Sequence, residues 1–539
     1  MLPEIEAATS IFQIGGVAGH RPQEHVFCIK SIMARFEEQK KMIILLPYDI
    51  SKFFDKEVLL DVMEELHSIG VDTRAYRIFF MLNKNTRIKV KTGCGYSEYE
   101  EVGDILGQGS GGAAKVSALN LSRKLDRVFE DDTNMIGYGS VLQKPYSFQD
   151  DILIPVDSLD HVRTANVKVD IVMKMMQTKL NEDKSGYILM GPQEQVEEAR
   201  KRVMKNPIMC GEFKMKELEK EKWLGDQFTG SLKQSVMATI KDREGKVRRA
   251  SYEIVNIVED YRAQRVGGFL TALQLWESCV IPSLLYNCSC WVGMGREEEK
   301  TLGDCQDFFL QLALATGPGA SKVALRADFG IRSMAVRVYK EKVLLVLHIR
   351  SLEDTALAKM MWREQLDNNW PGPVKEAENI CKTLGIEDVN VTNINNAKYT
   401  KIVEEACRAK DETDMKKEMT EKVEKKNREG SWSKLKRMVM EDCSLKDYVK
   451  TGNIFSVRKT WEARAYMLKV AGNYRGSKMY EASGWLCRAC GAGVREDQDH
   501  LGHCSGYSDL LQGRDLASDS ELVQFYTLVM ERRKLRGWD

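Results

Sequence analysis

The sequence predicts an α+β protein that becomes almost wholly helical in its second half. Three patterns carry that expectation. Two short apolar runs, Lys41 to Ile50 (KMIILLPYDI) and Tyr146 to Pro155 (YSFQDDILIP), have the length of buried strands rather than helices. Around them, apolar residues recur at helical spacing. From about residue 265 onward, apolar and then charged helical stretches follow one another.

Taken in order, Cys28, Ile32 and Phe36 recur every fourth residue and place one helix face after the Gly-containing stretch QIGGVAGH (Gln13 to His20). The run ending in Tyr48-Asp49-Ile50 is the first strand. Asp55 is positioned to cap a helix whose face is Val58, Val62 and Leu66, stopped by Gly70. Alternation from Thr86 to Val102 around Gly93-Cys94-Gly95 reads as a hairpin. A Gly-rich turn, Gly107 to Gly112, leads into a small-residue helix (AAKVSALNL). Tyr146 to Pro155 reads as strand, acidic turn, strand, with helices over 164–180 and 193–204. Residues 265–350 are apolar and helical, with Trp276, Trp291 and Phe308-Phe309. Residues 351–460 are helical and charged, and 411–429 mixes both signs as a solvated helix face does.

The 539 residues allow about three or four domains. With 80 Lys+Arg against 79 Asp+Glu, a uniformly basic nucleic-acid binder is excluded, but a local basic groove is not. Residues 200–249 hold 14 Lys+Arg against 7 Asp+Glu. The start, MLPEIEAATS, lacks the pattern of a secretory signal, and no apolar run reaches the roughly 18 residues of a membrane span. Thirteen scattered cysteines then read as reduced thiols, and the chain as an intracellular protein without a membrane partner.

Asp49 ends one apolar strand, and Asp150-Asp151 occupies the turn between two others. Carboxylates beside such strands must be protonated, paired or bound to a cation. Three converging carboxylates repel one another, and a pair of hard divalent cations removes that repulsion while creating a phosphoryl-transfer site. Taken alone, Asp-Asp also marks an ordinary turn.

The order of neighbours adds a resemblance. YDISKFFD (Tyr48 to Asp55), GQGSGGAAKVSALN (Gly107 to Asn120), FQDD (Phe148 to Asp151), LNEDKSGYILMG (Leu180 to Gly191) and KWLG (Lys222 to Gly225) follow one another as do the motifs of a reverse transcriptase palm. The series most resembles the enzymes of non-LTR (LINE-type) retrotransposons. The resemblance implies a right-hand polymerase palm, an antiparallel sheet with packed helices, followed by a helical thumb and a C-terminal helical region with a small zinc knuckle. It implies partial fingers over 1–48, palm with interleaved fingers elements over 49–215, and primer grip and thumb over 216–350. A charged helical connector (351–480), the knuckle (481–515) and a C-terminal helix (516–539) complete the division.

Residue by residue, the resemblance makes Asp49, Asp150 and Asp151 ligands of two Mg²⁺ (or Mn²⁺) ions, with the Ile50 carbonyl as an extra ligand. Phe54 becomes the ring that excludes a 2′-hydroxyl; core packing is the other reading of Phe53-Phe54, and one of the pair does only that. Gln108 and Gly109 fall where template and incoming dNTP approach the backbone. Lys184 is placed to neutralise or protonate departing pyrophosphate, or is an exposed lysine after a turn. Trp223, Leu224 and Gly225 match the primer-grip turn, and Gly267 to Gly293 the thumb helices. Only QIGGVAGHRPQEHVF (Gln13 to Phe27) matches fingers before Asp49, so the fingers are expected to be shortened.

Near the C-terminus, Cys487-x2-Cys490-x9-His500-x3-Cys504 has zinc-knuckle spacing, with His503 as an alternative fourth ligand. Too few apolar residues lie between them to fold unaided, so one structural Zn²⁺ would supply most of the local stability. Knuckles at this place in the family are thought to bind nucleic acid, which Arg488 and Arg495 would suit. The expected function is RNA-directed DNA polymerisation, with an RNA template, a DNA primer or target DNA, and dNTPs as partners. The alternative is an inactive, truncated retroelement remnant that binds nucleic acid through thumb and knuckle.

Overall fold

The computed structural model describes residues 1–103, 106, 112–132, 135–263, 269–314, 322–323, 326 and 331–425, then 487, 489–492, 498–501, 503–514 and scattered positions between 521 and 536. Its centre is a five-stranded sheet of β1 (Ile43–Asp49), β2 (Tyr146–Phe148), β3 (Asp151–Val156), β4 (Gly186–Met190) and β5 (Lys216–Glu217). The spatial order is β5-β4-β1-β3-β2, antiparallel throughout except for the short β4–β5 pair.

The apolar run of β1 is continuous because both faces of the sheet are covered. Ile44, Leu46 and Tyr48 point to one side and pack with α2 (Ala113–Phe129) and α3 (Leu159–Met175). Ile43 and Leu45 point to the other, against α1 (Pro22–Glu38), whose buried face includes Val26, Phe27, Ile29 and Ile32. Pro47 is tolerated in this central strand because the pairing to β4 runs only from Ile43 to Leu45. Tyr48 is anchored under α3 by a 2.6 Å hydrogen bond from its hydroxyl to Asn166.

The expected strand–turn–strand over Tyr146 to Pro155 is present, as are helices at Leu159–Met175 and Gln193–Lys205. Between Thr86 and Gly103 lie two nested antiparallel pairs, with Lys91–Thr92 against Gly95–Tyr96 at the tip. One local expectation is corrected. The N-cap position of the helix Leu59–Ser68 is Val58, not Asp55, and Val58 makes no side-chain cap bond. A 3₁₀ turn over Phe54–Lys56 carries Asp55 away from the helix start, so the helical face there is Leu59, Val62 and Leu66.

Beyond the sheet, α4 (Leu232–Ala263) and α5 (Arg296–Leu314) enclose a second core around Trp276, Trp291, Leu302 and Phe309. The helix entering Pro282 widens into a π turn over Trp276–Val280, since proline at 282 removes an amide donor and crowds the carbonyl four residues earlier. A third core unites α6 (Met334–Ser351), α7 (Pro373–Leu384) and α8 (Asn396–Lys425) through Val343, Val346, Ala377, Cys381, Tyr399 and Val403. No helix among the described residues is long and apolar enough to cross a membrane. The helical expectation for 426–460 lies outside the described residues, and so does most of that for 516–539.

Candidate functional site

Strand register brings the first two acidic residues together. Asp49, the last residue of β1, lies directly opposite Asp151, the first of β3, so both side chains leave the same face of the sheet. Asp151 is also opposite Phe148 of β2, and the tight Gln149-Asp150 turn joins those strands. Asp150 therefore sits at the same corner. Burial first, and then the neighbouring Asp150 and Asp49, pushes the Asp151 carboxyl up to about 6. Burial also raises Asp150, with Asp49 adding to the effect. Glu221 is raised likewise, by burial and in smaller part by Asp49. Crowded, partly dehydrated carboxyl groups whose charge is mutually opposed are a donor set suited to hard divalent cations.

Asp49 is held from the loop after α3. Asn181 donates from its backbone amide to the Asp49 carbonyl (2.8 Å) and from its side chain to the carboxylate (3.0 Å). The Asp49 amide donates in turn to the Ser185 hydroxyl (3.2 Å). Lys184, on the same loop, has its ammonium 3.3 Å from Asp49 and remains 62% exposed, long and free enough to swing. An open cleft of about 720 Å³ adjoins Asp49, Ile50, Phe54, Asp150, Asn181 and Lys184. Phe53 and Phe54 part company here. Both border the cleft, but Phe53 is buried in the sheet core, whereas Phe54 is half-buried, edge-on to it at 5.3 Å. Gln108 and Gly109 lie outside the described residues.

Trp223, Leu224 and Gly225 form the tip of a hairpin, Glu221–Trp223 against Asp226–Phe228. Leu224 (φ +46°) and Gly225 (φ +92°) are both left-handed, as the tightest hairpin turns require. A side chain at 225 would meet the Tyr286 ring at 2.6 Å, so only glycine fits. The tip is tied to the helical region by Asn287 donating to the Leu224 carbonyl (2.8 Å) and Arg243 donating to that of Gly225 (2.7 Å). Trp223 is buried, stacked parallel to His25 at 6.3 Å. It is a core residue, and the half-buried Leu224 and Gly225 are the parts of this motif nearer the surface.

Behind the hairpin, Asp226 is fully buried beside Arg243 (3.4 Å) and the Trp291 indole N–H (3.4 Å). Burial raises its carboxyl, and Lys30 and Arg243 oppose that rise. Lys30 is itself buried over the Phe228 ring at 4.3 Å, with burial holding its ammonium below the usual lysine range. Asp226, Arg243 and Asn287 escaped sequence analysis, and Tyr286 was read only as part of the thumb stretch. Asn181 and Ser185 escaped it too, and the LN-x-x-K stretch was their only signal.

At the far end of the chain, the ligand atoms of Cys487, Cys490, His500 and Cys504 all lie within 4.8 Å of one another. Cys487 and Cys504 sulfurs are 3.6 Å apart, and Cys490 Sγ is 3.4 Å from His500 Nε2. A tetrahedron with Zn–S bonds of about 2.3 Å has edges of about 3.8 Å, so the four residues fit zinc. His500, on the short helix Gln498–Leu501, and not His503, completes the set. Cys487, Cys504, Leu501 and Tyr507 are buried in the same core as Trp276 and Phe309. Arg488 and Arg495 lie outside the described residues.

No family model matches the chain, and neither does any curated protein. Among solved structures it is similar to apo telomerase from Candida tropicalis (TM-score 0.31, 9% identity, 83% of this chain and 60% of that one). It is also similar to the same organism's telomerase truncated from its C-terminal domain (TM-score 0.28, 10% identity, 40% and 39%). A third is telomerase from Candida albicans in complex with a TWJ fragment of telomeric RNA (TM-score 0.27, 9% identity, 67% and 56%). The chain thus spans from 39% to 60% of these structures' lengths.

Proposed function

We propose that this chain is an RNA-directed DNA polymerase of the non-LTR retrotransposon type, with a right-hand palm, that extends a DNA 3′ end along an RNA template. The observation that carries the reading is the register pairing of Asp49 with Asp151, with Asp150 in the adjoining turn, at the mouth of an open cleft. Asp49, Asp150, Asp151 and the Ile50 carbonyl would hold two Mg²⁺ or Mn²⁺ ions. Bound there, such ions would favour the primer 3′-alkoxide and neutralise departing pyrophosphate.

The rest of the work falls to the chain itself. Asn181 holds the Asp49 carboxylate, and Ser185 holds its backbone amide. Lys184 gives up its contact with Asp49 to meet the leaving pyrophosphate, supplying charge or a proton. Phe54, on the cleft wall, blocks a 2′-hydroxyl and selects dNTPs, while Gln108 and Gly109 border the template. Leu224 and Gly225 support the primer, and their rigidity comes from Arg243 and Asn287 behind them. Trp223 acts by packing. Cys487, Cys490, His500 and Cys504 would hold one structural Zn²⁺. The working compartment is intracellular.

Primer extension on an RNA template with dNTPs and Mg²⁺ or Mn²⁺ tests this. Extension that falls to background in Asp150→Asn/Asp151→Asn is the expected result. Absence of extension by the unaltered chain, with nucleic-acid binding intact, would leave the binding remnant as the better reading.

A further inference from the structure

The turn that carries Asp150 is an improbable piece of backbone. Gln149 precedes the two aspartates with φ +58°, a left-handed conformation that is unfavourable for a non-glycine residue. Left to itself, such a turn would relax and move the Asp150 carboxylate, whereas Asp151 is kept opposite Asp49 by the ladder. Something must hold it.

What holds it is a segment 136 residues earlier. Residues 12 and 13 run along the outer edge of β2. The Ser147 amide donates to the Phe12 carbonyl (2.8 Å), Gln13 bridges to Ser147 in parallel, and the Phe12 ring packs edge-on to Tyr146 at 5.4 Å. The Gln13 side chain, 1% exposed, then grips the turn from below. Its Oε1 accepts from the Gln149 amide (2.9 Å) and from the Gly15 amide (2.9 Å), and its Nε2 donates to the Gln149 carbonyl (3.2 Å). Both backbone polar groups of the left-handed residue are thereby satisfied by one amide. Gly15 lets the strap come this close: a Cβ there would stand 2.5 Å from the Gln149 nitrogen.

We infer that Gln13 is a positioning residue for the acidic site, and that the Gln13–Gly15 strap sets the metal affinity of Asp49, Asp150 and Asp151 by fixing the turn. The inference rests on the polymerase reading for its purpose. Its geometry does not depend on the chemistry performed there. Gln13 touches neither aspartate side chain, so it acts only through the backbone of Gln149.

The test is Mn²⁺ titration of the zinc-loaded full chain, followed by electron paramagnetic resonance of free Mn²⁺, with primer extension alongside. Gln13→Met keeps length and bulk but removes all three bonds. It should weaken Mn²⁺ binding tenfold or more and lower kcat, while KM for dNTP stays within twofold. Gln13→Glu keeps both acceptor contacts and should fall between Met and the native residue. Gly15→Ala retains Gln13 but displaces the Gln149 amide, and should act like Gln13→Met if that variant folds poorly. Mn²⁺ affinity within twofold of native in Gln13→Met or Gly15→Ala, whatever the loss of thermal stability, would overturn the inference alone. Native protein lacking any Mn²⁺ site that Asp49→Asn abolishes would overturn both the inference and the polymerase reading.

Discussion

The acidic corner of the sheet and the Cys/His cluster both gather candidate metal-ligating residues, and they do it by opposite means. Asp49 and Asp151 lie about a hundred residues apart in sequence and meet because a buried antiparallel ladder puts them in register. Asn181, Ser185 and Gln13 then fix the surrounding backbone. The four residues of the Cys/His cluster fall between 487 and 504, on a four-residue helix and short turns. One site is laid out by the sheet itself. At the other, the ion would be a large part of the local fold, and through Cys487 and Cys504 it reaches into the core shared with Trp276 and Phe309.

Zinc removal is expected to have the largest effect and most directly breaks or upholds this contrast. Chelation, or Cys504→Ser, should abolish hydrogen-exchange protection over 487–514 and lower that of α4 and α5, leaving β1 and β3 unchanged. Zinc binding is worth roughly 10–16 kcal/mol in isolated finger peptides, so a partial loss here would still be plain. Equal loss across the sheet would show that the two regions are not independent.

Next in size is the buried charge behind the hairpin. Arg243→Met strips Asp226 of its nearest cation and frees the Gly225 carbonyl, and should cost about 3–5 kcal/mol in urea unfolding. Adding Asp226→Leu should recover much of that. A loss below about 1 kcal/mol would mean that Lys30 alone balances Asp226.

Acid should act through His25. Burial holds its imidazole down to about 3, so it stays neutral in the folded chain while the unfolded chain takes up a proton below about 6.5. Stability from this group is complete above pH 6.5 and falls as pH drops from 6.5 toward 3, by up to about 1.4 kcal/mol per pH unit. Glu24, driven up by burial but held down to about 2 by hydrogen bonds from His20 and His348, adds a loss only below about pH 4.5. His25→Phe keeps the stack on Trp223 and should flatten the profile between pH 6.5 and 4.5. An unchanged slope would assign the acid sensitivity elsewhere.

The smallest effect has the unusual sign. Asp151 is raised to about 6 against an ordinary 3.8, so without divalent cations the folded state prefers the protonated form, and stability declines as pH rises from about 4 to 6. Asp151→Asn should therefore stabilise the metal-free chain at pH 8, by no more than about 1 kcal/mol after solvent screening, while removing extension. Differential scanning calorimetry with and without Mg²⁺ would show it. A destabilised variant would mean the carboxylates are not crowded.

What could be read from sequence was local. KMIILLPYDI and YSFQDDILIP announced their strands because the sheet is covered on both faces, and Cys487-x2-Cys490-x9-His500-x3-Cys504 announced its cluster because the ligands are near neighbours. What was missed was carried across the chain. Gln13 holding Gln149, Ser185 holding Asp49, and Arg243 and Asn287 holding the 224–225 turn are partnerships without period or spacing. Trp223 was legible only as the aromatic of a turn motif, and the structure buries it against His25. Asp55 looked like a cap because the 3₁₀ turn ahead of the helix left no mark in the pattern.

The strap over β2 has a consequence for the solution behaviour of the chain. A three-residue strand at the border of an apolar sheet would otherwise offer unpaired amides and carbonyls to any passing extended segment, including one from another copy. Phe12 and Gln13 occupy that border from within the same chain. The opposite border is only Lys216–Glu217, two charged residues long. Phe12 and Gln13 thus close the β2 flank of the sheet to recruitment, which guards it against edge-to-edge aggregation.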